Sequence, residues 1–257
     1  MRRNYIIETA IAENYKKARK FQTLAFVKKM HQKYIHGRKK IGLTIWDALK
    51  KLDEFIDVSD PDIELPNSIH AFQSAEMCRK DGQPDWFILT CLIHDLGKIL
   101  FMVGCDEDGT SLKEQWAIVG DTFVVGAPLS SKCVYPEFNS LHPDTYDTTL
   151  GIYPKHIGMQ NVYCSFGHDE YLYQILQQCK HSLPIEALYM IRFHSLYPYH
   201  MEGEYKELMN AFDEKMLPHL QKFNQYDLYS KENSNIEIDE TFYKELIDRY
   251  FQEKIIF

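Results

Sequence analysis

The stretch that most constrains this chain is Trp86 to Leu100, WFILTCLIHDLGKIL. Its apolar residues Phe87, Ile88, Cys91, Leu92, Leu96 and Ile99 recur at helical intervals and predict a helix with one broad buried face. Near the end of that face stand His94 and Asp95, followed by Gly97 and Lys98. A polar pair on so apolar a helix is costly to bury unless each group finds partners. Neighbouring helix positions point roughly 100° apart, so the two side chains can reach different atoms of one compact centre, such as the two sides of a metal pair. Taken alone, the dipeptide more often means a core histidine salt-bridged to its neighbour, and the rest of the chain has to decide.

The composition narrows the choices. A hydrophobic content of 45% over 257 residues supports a substantial core. The net charge of −8 argues against a nucleic-acid backbone or an anionic membrane as the main partner. The basic residues between Lys28 and Lys40 read as a solvated helix face. The six cysteines, at 78, 91, 105, 133, 164 and 179, include no Cys-x-x-Cys pair, which points to free thiols in a reducing compartment. The N-terminus lacks the apolar core of a signal peptide, and no apolar run approaches the roughly 20 residues of a membrane span. The expectation is a cytoplasmic protein, monomeric by default.

Periodicity predicts a mainly helical chain. Residues 8 to 36 read as one long amphipathic helix or two in succession, stopped by Gly37. Thr44 caps a short helix carrying Ile45, Ala48, Leu49 and Leu52. A carboxylate-rich loop follows from Asp57 to Pro66, and Asn67 or Ser68 caps a helix that carries His70. Gln115 to Val125 is β-branched and aromatic around Gly120-Asp121, which predicts a short β-hairpin. Residues 127 to 160 form a long connection. Helices return from Tyr171 to about Cys179, from Pro184 to Phe193, over 205–227 and over 240–252. With no repeat or linker, residues 1–257 read as one mainly α-helical domain.

Three more histidines occupy positions like that of His94. His70 lies in the first turn of its helix, His168 stands in a second His-Asp pair at a helix start, and His194 ends a helix. Asp227 follows Phe223 and Tyr226 on a further helix. Any one of these is more often structural than a ligand. Together they are four imidazoles and two carboxylates in apolar frames, and converging helices can aim such groups at a buried metal. Mixed imidazole and carboxylate ligation suits iron, manganese or zinc better than calcium. Asp95 is best placed to bridge two ions. The other histidines (31, 36, 142, 156, 181, 200 and 219) read as solvated.

The order His70, His94-Asp95, His168, His194, Asp227 resembles the HD-domain superfamily. The surrounding words are more specific: Ser59-Asp60-Pro61-Asp62, Pro66 to Gln73, Leu96-Gly97-Lys98, Gln115 to Phe123, Gly167 to Tyr171, Met190 to Ser195 and Phe223 to Tyr229. As a set, from Arg3-Asn4-Tyr5 onward, they resemble the myo-inositol oxygenase family. That resemblance implies an HD-domain helical bundle holding two irons, one Fe(II) and one Fe(III). The family opens the ring of myo-inositol with O2, giving D-glucuronate and water, a step of inositol catabolism. Carried over, one iron takes His70, His94 and Asp227, the other His168 and His194, and Asp95 bridges them. Arg3, Asp57, Ser59, Lys98, Gly120, Asp121 and Ser195 match the family's substrate contacts, with Lys98 and Asp95 at the chemistry.

These residues suit an uncharged polyol, since each hydroxyl taken from water needs a replacement donor or acceptor. Lys98, one helical turn past His94, can face the same centre and favour an alkoxide over the alcohol. Rival readings are a metal-dependent HD phosphohydrolase, a phosphonate-cleaving HD oxygenase and a helical scaffold without activity. The first two call for more cationic groups near the site than Lys98 and Arg192 provide.

Overall fold

The computed structural model describes residues 10–37, 40–59, 66–229 and 238–257. Arg3 and Asp60-Pro61-Asp62 lie outside the described residues. The N-terminal helical region is two helices in succession, α1 (Ala10–Phe21) and α2 (Leu24–Met30). Thr23 separates them, its hydroxyl accepting the Phe26 N–H at 3.1 Å to cap α2. A π-helical turn, His31–Ile35, continues it. Thr44 caps α3 (Ile45–Leu52), accepting the Asp47 N–H at 3.0 Å, and this helix buries Ile45, Ala48, Leu49 and Leu52.

Two helix pairs form the frame. α4 (Asn67–Lys80) packs on α5 (Asp85–Ile93) across the Asp81–Pro84 turn. α6 (His168–Gln178) packs on α7 (Ile185–Phe193). After the short α8 (Tyr197–His200), the long α9 (Ala211–Tyr229) lies against α4, α5 and α7. α10 (Glu240–Tyr250) packs on α3 and α5. An apolar core runs through these elements from Val27 to Phe257. The strand pair β1 (Gly42–Leu43) and β4 (Ile255–Ile256) ties the chain's end back to the start of α3. No helix among the described residues is long and apolar enough to cross a membrane.

Two local expectations are corrected. The central helix stops at Ile93, and Leu96–Met102 continues as a 3₁₀ helix. The His94 Nδ1–H takes the Cys91 carbonyl at 2.8 Å, an acceptor that the next α-helical turn would have used. The hairpin over residues 115–125 does not form. Residues 116–120 are turns, closed by the Gln115 carbonyl accepting the Ile118 and Val119 N–H groups at 2.8 and 3.2 Å. Only β2 (Val124–Val125) is extended, and it pairs antiparallel with β3 (Tyr163–Cys164), far along the chain.

Candidate metal centre

All six expected ligands come from helix ends or single helical turns facing one another. His70 is on α4 and Asp227 near the end of α9. His94 and His194 each follow the last residue of a helix, α5 and α7. His168 opens α6. The last carbonyls of a helix have no partner within it. At α5 and α7 the imidazole supplies one: His94 Nδ1 donates to Cys91 O (2.8 Å) and His194 Nδ1 to Ile191 O (2.7 Å). His168 Nδ1 donates to Ile118 O at 2.7 Å. A proton held on Nδ1 leaves Nε2 as the basic nitrogen of each neutral ring.

Those Nε2 atoms converge on the carboxylates. His70 Nε2 is 3.0 Å and His94 Nε2 3.4 Å from Asp227 Oδ1. Asp95 turns one oxygen each way: Oδ1 is 3.1 Å from His168 Nε2 and 3.7 Å from His194 Nε2, while Oδ2 is 3.6 Å from His94 Nε2. The donor atoms of His70, His94 and Asp227, and those of His94, Asp95 and His194, lie within 4.8 Å of one another.

The ring nitrogens show whether this set suits a metal. His168 Nε2 and His194 Nε2 face each other at 3.0 Å. With both Nδ1 protons committed to carbonyls, two lone pairs oppose one another unless a proton or an ion lies between. Two imidazole nitrogens about 2.1 Å from one ion, at a right angle, stand about 3.0 Å apart. The geometry and the mixed nitrogen and oxygen donors fit a transition metal.

Electrostatics sets how such an ion would enter. Burial pushes the His94 imidazolium down, but Asp95 and Asp227 outweigh it and raise His94 from 6.5 to about 9. Burial pushes Asp95 up, but Lys98 and His94 hold it well below the usual carboxylate range. In metal-free protein the His94 contribution stabilises the fold fully below about pH 6.5 and is lost as pH climbs through about 9. A metal has to displace that proton. Apparent Zn2+ affinity, titrated calorimetrically, is therefore expected to rise with pH, by up to tenfold per pH unit for that one proton, and to level off above about pH 9. A flat profile would contradict it.

The centre forms the floor of a pocket that also meets Tyr15, Asp57, Ser59, Lys98, Gly120, Asp121 and Ser195. Lys98 is buried, its Nζ 2.8 Å from Asp57 Oδ2, 2.9 Å from Asp95 Oδ2 and 3.3 Å from Asn67 Oδ1. Burial alone would lower its pKa, but the two carboxylates win and hold it far above the usual lysine range. Asp57 Oδ1 accepts the Ser59 hydroxyl (2.7 Å) and N–H (2.8 Å). The Thr122 N–H donates to Ser195 O at 2.9 Å, joining two walls of the pocket.

Asp121 is placed differently from a free acceptor. Its side chain has no exposure, and the carboxylate takes the Arg19 guanidinium at 3.1 and 3.3 Å and the Val134 N–H at 3.0 Å. What Asp121 offers to the pocket is main chain, beside Gly120 at φ +102°, a conformation that favours glycine. Asn67, expected as a cap, is instead the first residue of α4 and does not cap it: its amide nitrogen donates to Phe55 O and Leu52 O while its oxygen meets Lys98. His200, expected to be solvated, is buried and donates its Nε2–H to His194 O at 2.9 Å.

Gly97 has a packing reason beyond ending a helix. A Cβ at that position would overlap the backbone carbonyl of His168. Gly97→Ala must push the 3₁₀ segment off α6, at about 2–3 kcal/mol. A Tm lower by roughly 5–10 °C is expected in thermal melts; an unchanged Tm would mean the two backbones are not in contact.

Comparison with known proteins identifies the family. The family model described as Myo-inositol oxygenase matches residues 8–257. The chain belongs to the myo-inositol oxygenase family. Among curated members, inositol oxygenase from Sus scrofa is 43% identical over 248 residues, 93% of this chain and 85% of the pig protein. The Dictyostelium discoideum inositol oxygenase is 40% identical over 257 residues, 96% of this chain and 86% of its own length. The Homo sapiens inositol oxygenase is 42% identical over 244 residues, 92% and 82% of the two chains. Family membership makes the chain an oxygenase, and its buried His and Asp groups are a place where an inositol oxygenase could hold metal.

Proposed function

We propose that this chain cleaves the ring of myo-inositol with O2, giving D-glucuronate and water, at a pair of irons. The observation that carries the reading is the meeting of four imidazoles and two carboxylates under a pocket walled by hydroxyl, carboxylate, ammonium and main-chain groups. On this reading His70, His94 and Asp227 would hold one iron and His168 and His194 the other, with Asp95 available to both. When bound, the irons supply Lewis acidity toward a substrate oxygen and the electron that starts O2 reduction. The balance closes without an outside reductant, because the ring gives up the four electrons that O2 takes.

The chain's own residues bind and orient the cyclitol. Asp57 and Ser59 provide acceptor and hydroxyl on one wall, Ser195 and the Gly120-Asp121 main chain on another, and Arg3 is assigned by the family resemblance. Lys98, fixed by three neighbours and held protonated, acts as a permanent cation rather than a base. It favours the alkoxide form of the substrate hydroxyl beside it. A phosphate ester finds less here: besides the imidazoles the described pocket lining holds two cations, Lys98 and Lys132, and Lys98 is already paired with Asp57 and Asp95.

The test is to load the protein with Fe(II) without oxygen, then admit O2 and myo-inositol. D-glucuronate identified by mass, with one O2 consumed per ring opened, is the expected result. No sugar acid, with hydrolysis of a generic phosphate ester under Mn2+ instead, would overturn it.

A further inference from the structure

We infer that Gln115, which lies outside the pocket, is a positioning residue that seats Asp57 for substrate. The inference rests on the reading of Asp57 as a substrate contact. Gln115 is 3% exposed. Its Nε2 donates to Ile56 O at 2.8 Å and to Leu112 O at 3.0 Å, and its Oε1 accepts the Val58 N–H at 3.1 Å. One carboxamide thus grips the main chain on both sides of Asp57. Only a group with a donor and an acceptor at one end of a three-bond side chain can do this.

Phe55 anchors the loop on one side, buried in the core with its carbonyl on the Asn67 amide, and Val58 packs on the core on the other. Ile56 is 66% exposed, so its side chain contributes almost no burial. Beyond Gln115, Asp57 is oriented by its own loop through Ser59 and by Lys98, the group it has to meet. The Gln115 main chain makes a second link. Its carbonyl closes the turn that presents Ile118 O to the Nδ1 and the N–H of His168, at 2.7 and 2.9 Å. Gln115 therefore ties the wall that meets substrate to the turn that orients a proposed ligand. The side-chain links alone can be cut while the main-chain link remains.

The experiment compares Gln115→Met, which keeps the volume and removes both amide functions, with Gln115→Glu, which keeps an acceptor and loses the donors. Each is expected to raise KM for myo-inositol by about tenfold with a smaller change in kcat, at wild-type iron content. In an Asp57→Asn background, Gln115→Met is expected to add less than about twofold, because the group it positions is already altered. Hydrogen exchange in the wild type supplies a readout that needs no variant: the Val58 amide should be protected. A wild-type KM in both variants, full additivity with Asp57→Asn, or a Val58 amide exchanging at the open-chain rate would each overturn the inference. Failure of the wild type to consume inositol would instead sink the functional reading on which it rests.

Discussion

Lys98→Ala is expected to keep its full metal content and to lose turnover with myo-inositol by roughly 10²–10³-fold. None of the proposed ligand atoms is removed, so the irons should stay. The loss falls on the reaction because Nζ is the buried cation facing the centre, within 2.9 Å of both Asp57 and Asp95. Removing it leaves Asp57 Oδ2 without that partner and withdraws the charge that favours an alkoxide. Lys98→Met, which keeps the aliphatic stem, separates charge from packing and should fail equally. Wild-type turnover in either variant, measured by O2 uptake, would remove Lys98 from the mechanism.

His194→Ala is expected to halve the metal content, from two ions per chain to about one, and to abolish turnover. His194 Nε2 faces His168 Nε2 at 3.0 Å and Asp95 Oδ1 at 3.7 Å, so its loss empties one side of the centre. The His70, His94 and Asp227 group is untouched. Helical content should survive, because the side chain caps only the end of α7, at Ile191 O. Metal analysis beside circular dichroism checks both halves, and two ions per chain in the variant would show the ligand assignment to be wrong.

The set of six polar residues that meets under the pocket was legible because each sits in an apolar frame, a pattern local to the chain; that it holds metal comes from the family resemblance. The fine structure of the site was not legible. The Trp86–Leu100 pattern reads as one helix, and nothing in its periodicity signals that His94 will take the Cys91 carbonyl and end it at Ile93. The Gln115–Val125 stretch has strand composition, but the partner of Val124 is Cys164, and pairing at that range leaves no local mark. Asp121 reads as a pocket acceptor until Arg19, 102 residues earlier in the chain, is found on its carboxylate. Gln115 reads as the start of a strand and Asn67 as a helix cap, each a sufficient local reason for the residue. Their work is visible only once Ile56, Val58 and Phe55 are in place. His200 reads as solvated because α8 is a single turn with no sustained period, and its burial shows only once its Nε2–H is seen on His194 O.

The central claim is that six side chains from five separate segments hold two irons under the inositol pocket. Anomalous diffraction at the iron edge, on crystals loaded with Fe(II), measures it directly. Two peaks are predicted, one bonded to His70, His94 and Asp227, the other to His168 and His194, with Asp95 bonded to both. A single peak, or iron bound away from these residues, would contradict the account.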